Sequence, residues 1–395
     1  MKTELKSGIY WVGYVDWNVR DFHSFNTAHG ATYNSYLVQD EKVALIDTVK
    51  EPYAPQLLRN IQELTPLEKI DYVVCNHAEP DHGGAMAAVL KNLPNATLLC
   101  NAKCRNVLAG YFDISHWKIQ IVKSGDQISL GKRTLAFLET PMVHWPDSMF
   151  TYVPEEKLLF SMDAFGQHIA TSVRFDDEWS LPDILVEAKA YYANIVTPYG
   201  KQVQKTMEAG SKLAIDMIAP SHGLIWRKNI PAILDAYANW SANQTESKIV
   251  ILYDSMWEST TRLADEVLSG ILSVSQTINV QLLHARRNTL TRIATEMLDA
   301  AAVAFGSATL NSQALPAMAA ALTYIKGLKF AKKPGFAFGS SGWGIGGAEQ
   351  ISKWFDEIQW EQVGKYVSCR WRPNDESKAA CFEAGRLLAQ RVLNR

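Results

Sequence analysis

Between an apolar run, DYVVC, and a helix-like run, AMAAVLKNL, the chain reads NHAEPDHGG over residues 76–84. His77, Glu79, Asp81 and His82 place four metal-binding side chains within six residues. Burying so many titratable groups together without a cation is costly, so the chain has to fold around metal at this point. His77 and Glu79 are two apart and point the same way on an extended segment. Asp81 and His82 follow a proline, precede two glycines, and aim at a second point. One ion could use three of these groups; two ions can use all of them, given further ligands and a bridging carboxylate. His144 in TPMVHWPDSM, Asp163 in LFSMDAFGQH and His222 in IAPSHGLIW are the candidates, each following an apolar strand-like run. His23 and His168 could approach the same site. His29, His116 and His284 lack such neighbours.

The chain has 395 residues, which favours two domains. Apolar residues make up 47% and charged residues 20%, and the net charge of −2 argues against nucleic-acid or anionic-membrane partners. No apolar run is long enough to cross a bilayer and no leader pattern opens the chain, so the cytoplasm is expected. The five cysteines form no disulfide framework and no C-x-x-C pair, which fits reduced thiols and excludes an appended rubredoxin-type iron site. Cys100 and Cys104, one helical turn apart, read as core residues.

Before residue 248 the chain alternates hairpins and helices. TYNSYLVQDEKVALIDTV turns at QDEK and MFTYVPEEKLLFSMD turns at PEEK, and IQIVKSGDQISLGKRTLAFLET reads as short strands. LPDILVEAKAYYANIV and NIPAILDAYANWSA read as helices. Together they predict an αβ sandwich. SANQTESK (241–248) reads as a linker. After it come five β–α units, which predict a doubly wound parallel sheet. The expected domains are 1–248 and 249–395.

The first strand of the second half ends in YDSMWESTTRLA. Ser255, Ser259 and Thr260, with the amides of Met256, Trp257 and Glu258 between them, can wrap a phosphate at a helix N-terminus. Glu258 and Asp254 must then point away. The loop lacks G-x-G-x-x-G and suits a mononucleotide. Two further loops follow the third and fourth strands: GSATLNSQALP, with Ser307, Ala308, Thr309 and Asn311, and FGSSGWGIGGAEQ, with Ser340, Ser341, Gly342, Trp343 and Gly344. Trp257 and Trp343 can cover the faces of a flavin.

The motif H-x-[EH]-x-D-H with distant His, Asp and His resembles the metallo-β-lactamase fold. Hydrolases of that fold usually carry histidine at the third motif position and bind zinc; here it is Glu79. With Asp81 and Asp163 it makes three carboxylates, and a mixed His/carboxylate set suits iron better than zinc. Joined to a flavodoxin-like half, the glutamate variant resembles the flavodiiron proteins. The resemblance runs end to end and includes WVGYVDWNVRDFH, TYNSYLV, HWPDSM, DAFGQH and YYANI. It implies a metallo-β-lactamase-like αββα sandwich followed by a flavodoxin-like sheet. His77, Glu79 and His144 would hold the iron nearer the flavin, Asp81, His82 and His222 the other, and Asp163 would bridge them. In the second loop Ala308 and Ser312 replace the family's proline and asparagine, and GWGIGGA is one residue longer than the family's usual form.

The same resemblance implies FMN and two irons, reducing dioxygen to water and/or nitric oxide to nitrous oxide. It implies a head-to-tail homodimer, or a dimer of dimers, and a separate electron donor such as rubredoxin or a reduced deazaflavin. Tyr191, Tyr192, His23 and His168 are the candidate proton donors. The rival readings are a zinc-dependent hydrolase with a flavodoxin-like electron-transfer domain, and an electron carrier with a merely structural metal. Glu79 separates the first rival from the redox reading: Glu79→His is expected to lower iron retention or turnover while leaving flavin bound, as read from the iron-to-flavin ratio and oxygen consumption.

Overall fold

A computed structural model describes residues 2–23 and 25–394. The chain divides into two compact units, one of Met1–Tyr192 and Tyr199–Ala242, the other of Ala193–Pro198 and Asn243–Arg395.

The first unit is the expected sandwich. One sheet runs in the order Thr3–Lys6, Ile9–Trp11, Tyr36–Gln39, Val43–Ile46, Ile70–Val74, Thr97–Cys100, Ile119–Ile121. The other runs Gln127–Ser129, Thr134–Glu139, Met149–Val153, Leu158–Met162, Met217–Pro220. Strand alternation sorts the apolar side chains between two cores. Leu45, Val73 and Leu98 face the helices Ala54–Gln62, Met86–Asn92 and Ala102–Tyr111. Ala44, Ile46, Val74 and Leu99 face the second sheet and meet Phe137, Met149, Leu158 and Phe160. Strands buried on both sides read as unbroken apolar runs, which is why VALI and DYVVC stand out in the sequence. The hairpins at QDEK and PEEK form as expected. The helix predicted over 181–196 is α-helical only to Tyr191; Tyr192–Val196 widen into a π turn.

The second unit is built on a parallel sheet in the order Asn279–His284, Lys248–Asp254, Ala302–Leu310, Gly335–Ser341, Val367–Arg370. This is the doubly wound order whose chain direction reverses beside the first strand. Ile249, Ile251 and Tyr253 pack on one side against the helices Ser259–Val274 and Asp375–Leu393.

Two local expectations need correction. The segment after the third strand is more regular than a loop. That strand runs on to Leu310 and turns back at Asn311 and Ser312, both at positive φ (50° and 60°), to pair with Gln313–Ala314. Two residues at positive φ match the right-handed twist of a tight hairpin. A Cβ at Gly346 would lie 2.2 Å from the Ser312 carbonyl oxygen, so the next loop folds directly onto this turn. The linker is also shorter than SANQTESK: Ser241 closes the helix Ile230–Ser241, and Lys248 opens a strand. No helix among the described residues is long and apolar enough to cross a membrane.

Lys248 is only 3% exposed. Its ammonium pairs with Glu296, and with Asp299 Oδ1 at 3.0 Å. Burial disfavours the charge, but Asp299 and Glu296 outweigh it and raise the pKa above its usual value. A raised folded pKa contributes stability in full below the unfolded value of roughly 10.4, and that stability is lost as pH climbs through the folded value. Lys248→Met, which strands two carboxylates, is expected to destabilise the second unit by about 3 kcal/mol at pH 7. The gap from the parent should narrow above about pH 10.5, as followed by urea denaturation monitored by circular dichroism.

Candidate di-iron and flavin sites

Each candidate metal ligand sits just past the end of a strand or in the loop that follows. His77 and Glu79 come after Ile70–Val74, His144 after Thr134–Glu139, Asp163 after Leu158–Met162 and His222 after Met217–Pro220. Asp81 and His82 lie on the short turn of helix Pro80–Gly83. All seven are buried.

They form two clusters joined by one residue. In the first, Glu79 Oε2 lies 3.1 Å from His77 Nε2 and 3.3 Å from His144 Nε2. In the second, Asp81 Oδ2 lies 3.1 Å from His82 Nε2 and 2.9 Å from His222 Nε2. Asp163 divides its oxygens. Oδ2 approaches His77 and His144 at 3.5 and 3.3 Å, and Oδ1 approaches His82 and His222 at 3.0 and 3.4 Å. Ligand atoms about 2.1 Å from a metal ion are separated by roughly 3.0–3.4 Å along the edges of its coordination shell, which is the spacing found in both clusters.

Orientation agrees with the spacing. Both oxygens of Asp81, both oxygens of Asp163 and both nitrogens of His82 are buried and make no hydrogen bond among the described residues. Atoms 3 Å apart that do not bond are aimed at a common third point, and buried polar groups are rarely left so. Charge agrees too. Burial alone would raise Asp163 and Asp81, yet His82 and the neighbouring imidazoles hold both below the usual carboxylate range. Burial alone would lower His82, yet Asp81 and Asp163 push it up to about 9. His77, against the same penalty, is held well above its usual value by Asp147 and Glu79. The carboxylates thus favour a positive charge on His77, His82 and His144, where cations would sit.

Around the clusters, His23 Nδ1 lies 3.0 Å from Glu79 Oε1, and burial lowers its pKa. His168 sits against His222 (4.9 Å between rings), Tyr191 (5.1 Å) and Phe22 (4.9 Å). Burial drives its pKa well down, and neither ring nitrogen has a hydrogen-bond partner among the described residues. Tyr191 is 6.0 Å from the His222 ring. Tyr192 is turned elsewhere and packs on Tyr237 and Trp240.

In the second unit a cavity of about 280 Å³ opens at the carboxyl ends of the parallel strands. Met256, Trp257, Ser259, Ala308, Thr309, Asn311, Ser340, Ser341, Gly342, Trp343 and Gly344 line it, as the sequence predicts. Trp257 and Trp343 are 87% and 89% exposed at its mouth. Four predicted residues do not line it. Thr260 Oγ1 pairs with Ser340 Oγ at 2.8 Å, and Ser307 Oγ accepts from the Leu315 amide at 2.9 Å. Glu258 caps the helix at φ 61°. Ser255 Oγ is buried and makes no hydrogen bond among the described residues. Asp254 points away, as required, toward Arg286 Nε at 2.8 Å. Two lining residues went unread: Ser312, at the hairpin tip, and Trp371, just past the last strand. Trp371 lies 6.0 Å from Trp343. Its position after a fifth strand of the doubly wound pattern was the available signal.

A profile of the ODP family beta lactamase matches residues 31–223, and a flavodoxin profile matches residues 251–385. A nitric oxide reductase of Moorella thermoacetica is 43% identical over 98% of both chains. The flavodiiron protein from Giardia intestinalis superposes with a TM-score of 0.96, at 37% identity, over 100% of this chain and 97% of that one. The chain belongs to the flavodiiron proteins. Rubredoxin oxygen:oxidoreductase from Desulfovibrio gigas is similar to this flavodiiron protein to the same degree, at TM-score 0.96 and 36% identity over 100% and 99% of the two chains. The zinc-hydrolase expectation is thereby set aside.

A flavodiiron protein carries FMN and two irons, and both fit the residues found. The unpartnered oxygens and nitrogens of the first unit suit a pair of cations. The cavity at the head of the 16-residue helix Ser259–Val274, with aromatic walls, suits a flavin phosphate and ring. An aromatic contact of about 1.4 kcal/mol corresponds to about tenfold in affinity. Trp371→Ala is therefore expected to weaken FMN binding about tenfold while leaving iron content unchanged, as measured by quenching of flavin fluorescence during titration of the apoprotein.

Proposed function

We propose that this flavodiiron protein passes electrons from an external donor through FMN to a di-iron centre, which reduces dioxygen to water and/or nitric oxide to nitrous oxide. The observation that carries the reading is Asp163, whose two oxygens face two different His/carboxylate clusters at 3.0–3.5 Å. In this reading His77, Glu79 and His144 would hold one iron, Asp81, His82 and His222 would hold the other, and Asp163 would serve both. When bound, the irons would supply single-electron chemistry toward a small gas, and FMN would supply electrons in pairs or singly. The metal-binding domain corresponds to the first compact unit, which ends at Ala242, and the flavin domain to the second, whose first strand opens at Lys248.

The protein's own groups exclude water and steer protons. Phe22 and Phe25 wall the site beside His168, within 4.9 and 5.4 Å of its ring. A neutral His23 donates from Nδ1 to Glu79 Oε1, which turns that oxygen away from the ligand cluster. Tyr191, His23 and His168 adjoin the clusters and are the preferred proton donors; Tyr192, held by Tyr237 and Trp240, is demoted. In the flavin site the loop at Met256, Trp257 and Ser259 would take the phosphate, and Trp257, Trp343 and Trp371 would flank the ring.

The names of the relatives support both gases as substrates and a rubredoxin-type donor; a reduced deazaflavin is the second choice. A head-to-tail homodimer, or a dimer of such dimers, would bring the flavin of one subunit to the irons of its partner. Five free, buried cysteines fit a reducing cytoplasm.

Stopped-flow oxidation of the iron-loaded, reduced protein by each gas separately tests the proposal. Consumption of at least one gas, with water or nitrous oxide as product, is expected, and consumption of neither overturns the reading. Asp163→Ala should abolish magnetic coupling between the irons, as read by Mössbauer spectroscopy in applied field, while FMN stays bound.

A further inference from the structure

Asp147 belongs to neither ligand cluster, yet its side chain is 0% exposed and touches one of the ligands. Both of its carboxylate oxygens lie 3.2 Å from His77 Nδ1. Oδ2 also accepts from the Ala78 amide at 2.8 Å, and Asn101 Nδ2 donates to the Asp147 carbonyl oxygen at 2.7 Å. The residue is held from three directions. An ionised carboxylate only accepts, so Nδ1 must carry the His77 ring proton. The Nε2 lone pair then faces Glu79 Oε2 at 3.1 Å and Asp163 Oδ2 at 3.5 Å.

The other cluster is supported differently. His222 Nδ1 donates to a neutral backbone carbonyl, that of Thr32, at 2.6 Å. His82 Nδ1 has no partner among the described residues. The two clusters are otherwise matched: each has two imidazoles, one carboxylate of its own and one oxygen of Asp163. The extra negative charge of Asp147 stands behind only one of them.

We infer that Asp147 is a positioning residue that fixes His77 as an Nε2 ligand and makes the His77/Glu79/His144 position the more electron-rich of the two. A hydrogen bond to a carboxylate strengthens an imidazole as a donor and fixes its orientation. The iron at that position is therefore the first to be oxidised and the last to be reduced. The inference rests on the metal assignment proposed above and adds an inequality between two formally similar positions.

The test compares Asp147→Asn and Asp147→Glu with the parent, each loaded with iron-57 and titrated reductively under Mössbauer observation. The parent should show two iron environments. In Asp147→Asn one environment should move and be reduced at a higher potential, while the other stays. Iron affinity, measured by competition with a chelator, should fall about 10–100-fold. Asp147→Glu, which keeps the charge, should recover part of the potential. Unchanged environments, potentials and affinity in Asp147→Asn would overturn the inference. So would equal losses in the two variants, which would make bulk, not charge, responsible. If Asp147→Asn fails to fold, as judged by circular dichroism and thermal unfolding, Asn101→Ala releases the Asp147 backbone carbonyl and so loosens the segment that carries the carboxylate: a smaller loss of iron affinity with one environment altered supports the inference, and no change overturns it. Absence of two iron environments in the parent would instead overturn the functional reading itself, and the inference with it.

Discussion

Three carboxylates and four imidazoles, all buried, meet at one edge of a sandwich. Each carboxylate there carries a burial penalty. Mutual pairing goes only part of the way, because the atoms that come within 3 Å of one another are aimed past each other. Protons on the histidines relieve the charge, and two cations relieve it better. The fold around the site follows from this need, since seven buried groups have to be held in place with an accuracy well below the length of a side chain.

The strands supply that accuracy. Strands of two facing sheets, Ile70–Val74 in one and Thr134–Glu139, Leu158–Met162 and Met217–Pro220 in the other, are each followed closely by a candidate ligand. A second layer of hydrogen bonds fixes the backbone of those ends. Thr48 donates to the His82 carbonyl. Asp47 accepts from the Asn76 amide at 2.7 Å and from its side chain at 2.9 Å, immediately before His77. Asn34 reaches from the first sheet to the carbonyls of Pro220 and Gly223, at 2.8 and 3.1 Å, on either side of His222. Trp11 holds Asn34 in turn, from Nε1 at 2.8 Å. The candidate metal ligands are thus anchored in the core between the sheets, and a change at Asn34 would be felt at His222.

What the sequence reveals of this depends on how local the signal is. His77, Glu79, Asp81 and His82 are contiguous, and their pattern is dense enough to read directly. His144, Asp163 and His222 are each a single residue after an apolar run, legible only once the first four demand partners. Asp147 is a lone aspartate in a turn, and nothing in HWPDSM distinguishes its carboxylate from a solvated one; only the fold brings it against His77. In the flavin half, the strand–helix alternation gives the sheet order, and the sheet order gives the edge where a nucleotide binds. Trp371 escaped because the fifth strand contributes no recognised motif. Ser312 and the extension to Leu310 escaped because Asn-Ser is a weak hairpin signal beside Asn-Gly. Lys248 read as a linker residue because a lysine is rarely buried, and its partners, Glu296 and Asp299, lie some fifty residues away in the chain.

Gly346 shows how a residue that does not line the flavin cavity can shape it. The hairpin tip at Asn311 and Ser312 and the glycine-rich segment after Ser341 press together with no room for a methyl group between them. The two segments consequently form one rigid rim, and neither can lengthen or shift alone. In descendants of this sequence the tip and the glycine stretch would have to vary in concert, with insertions in one answered by adjustments in the other.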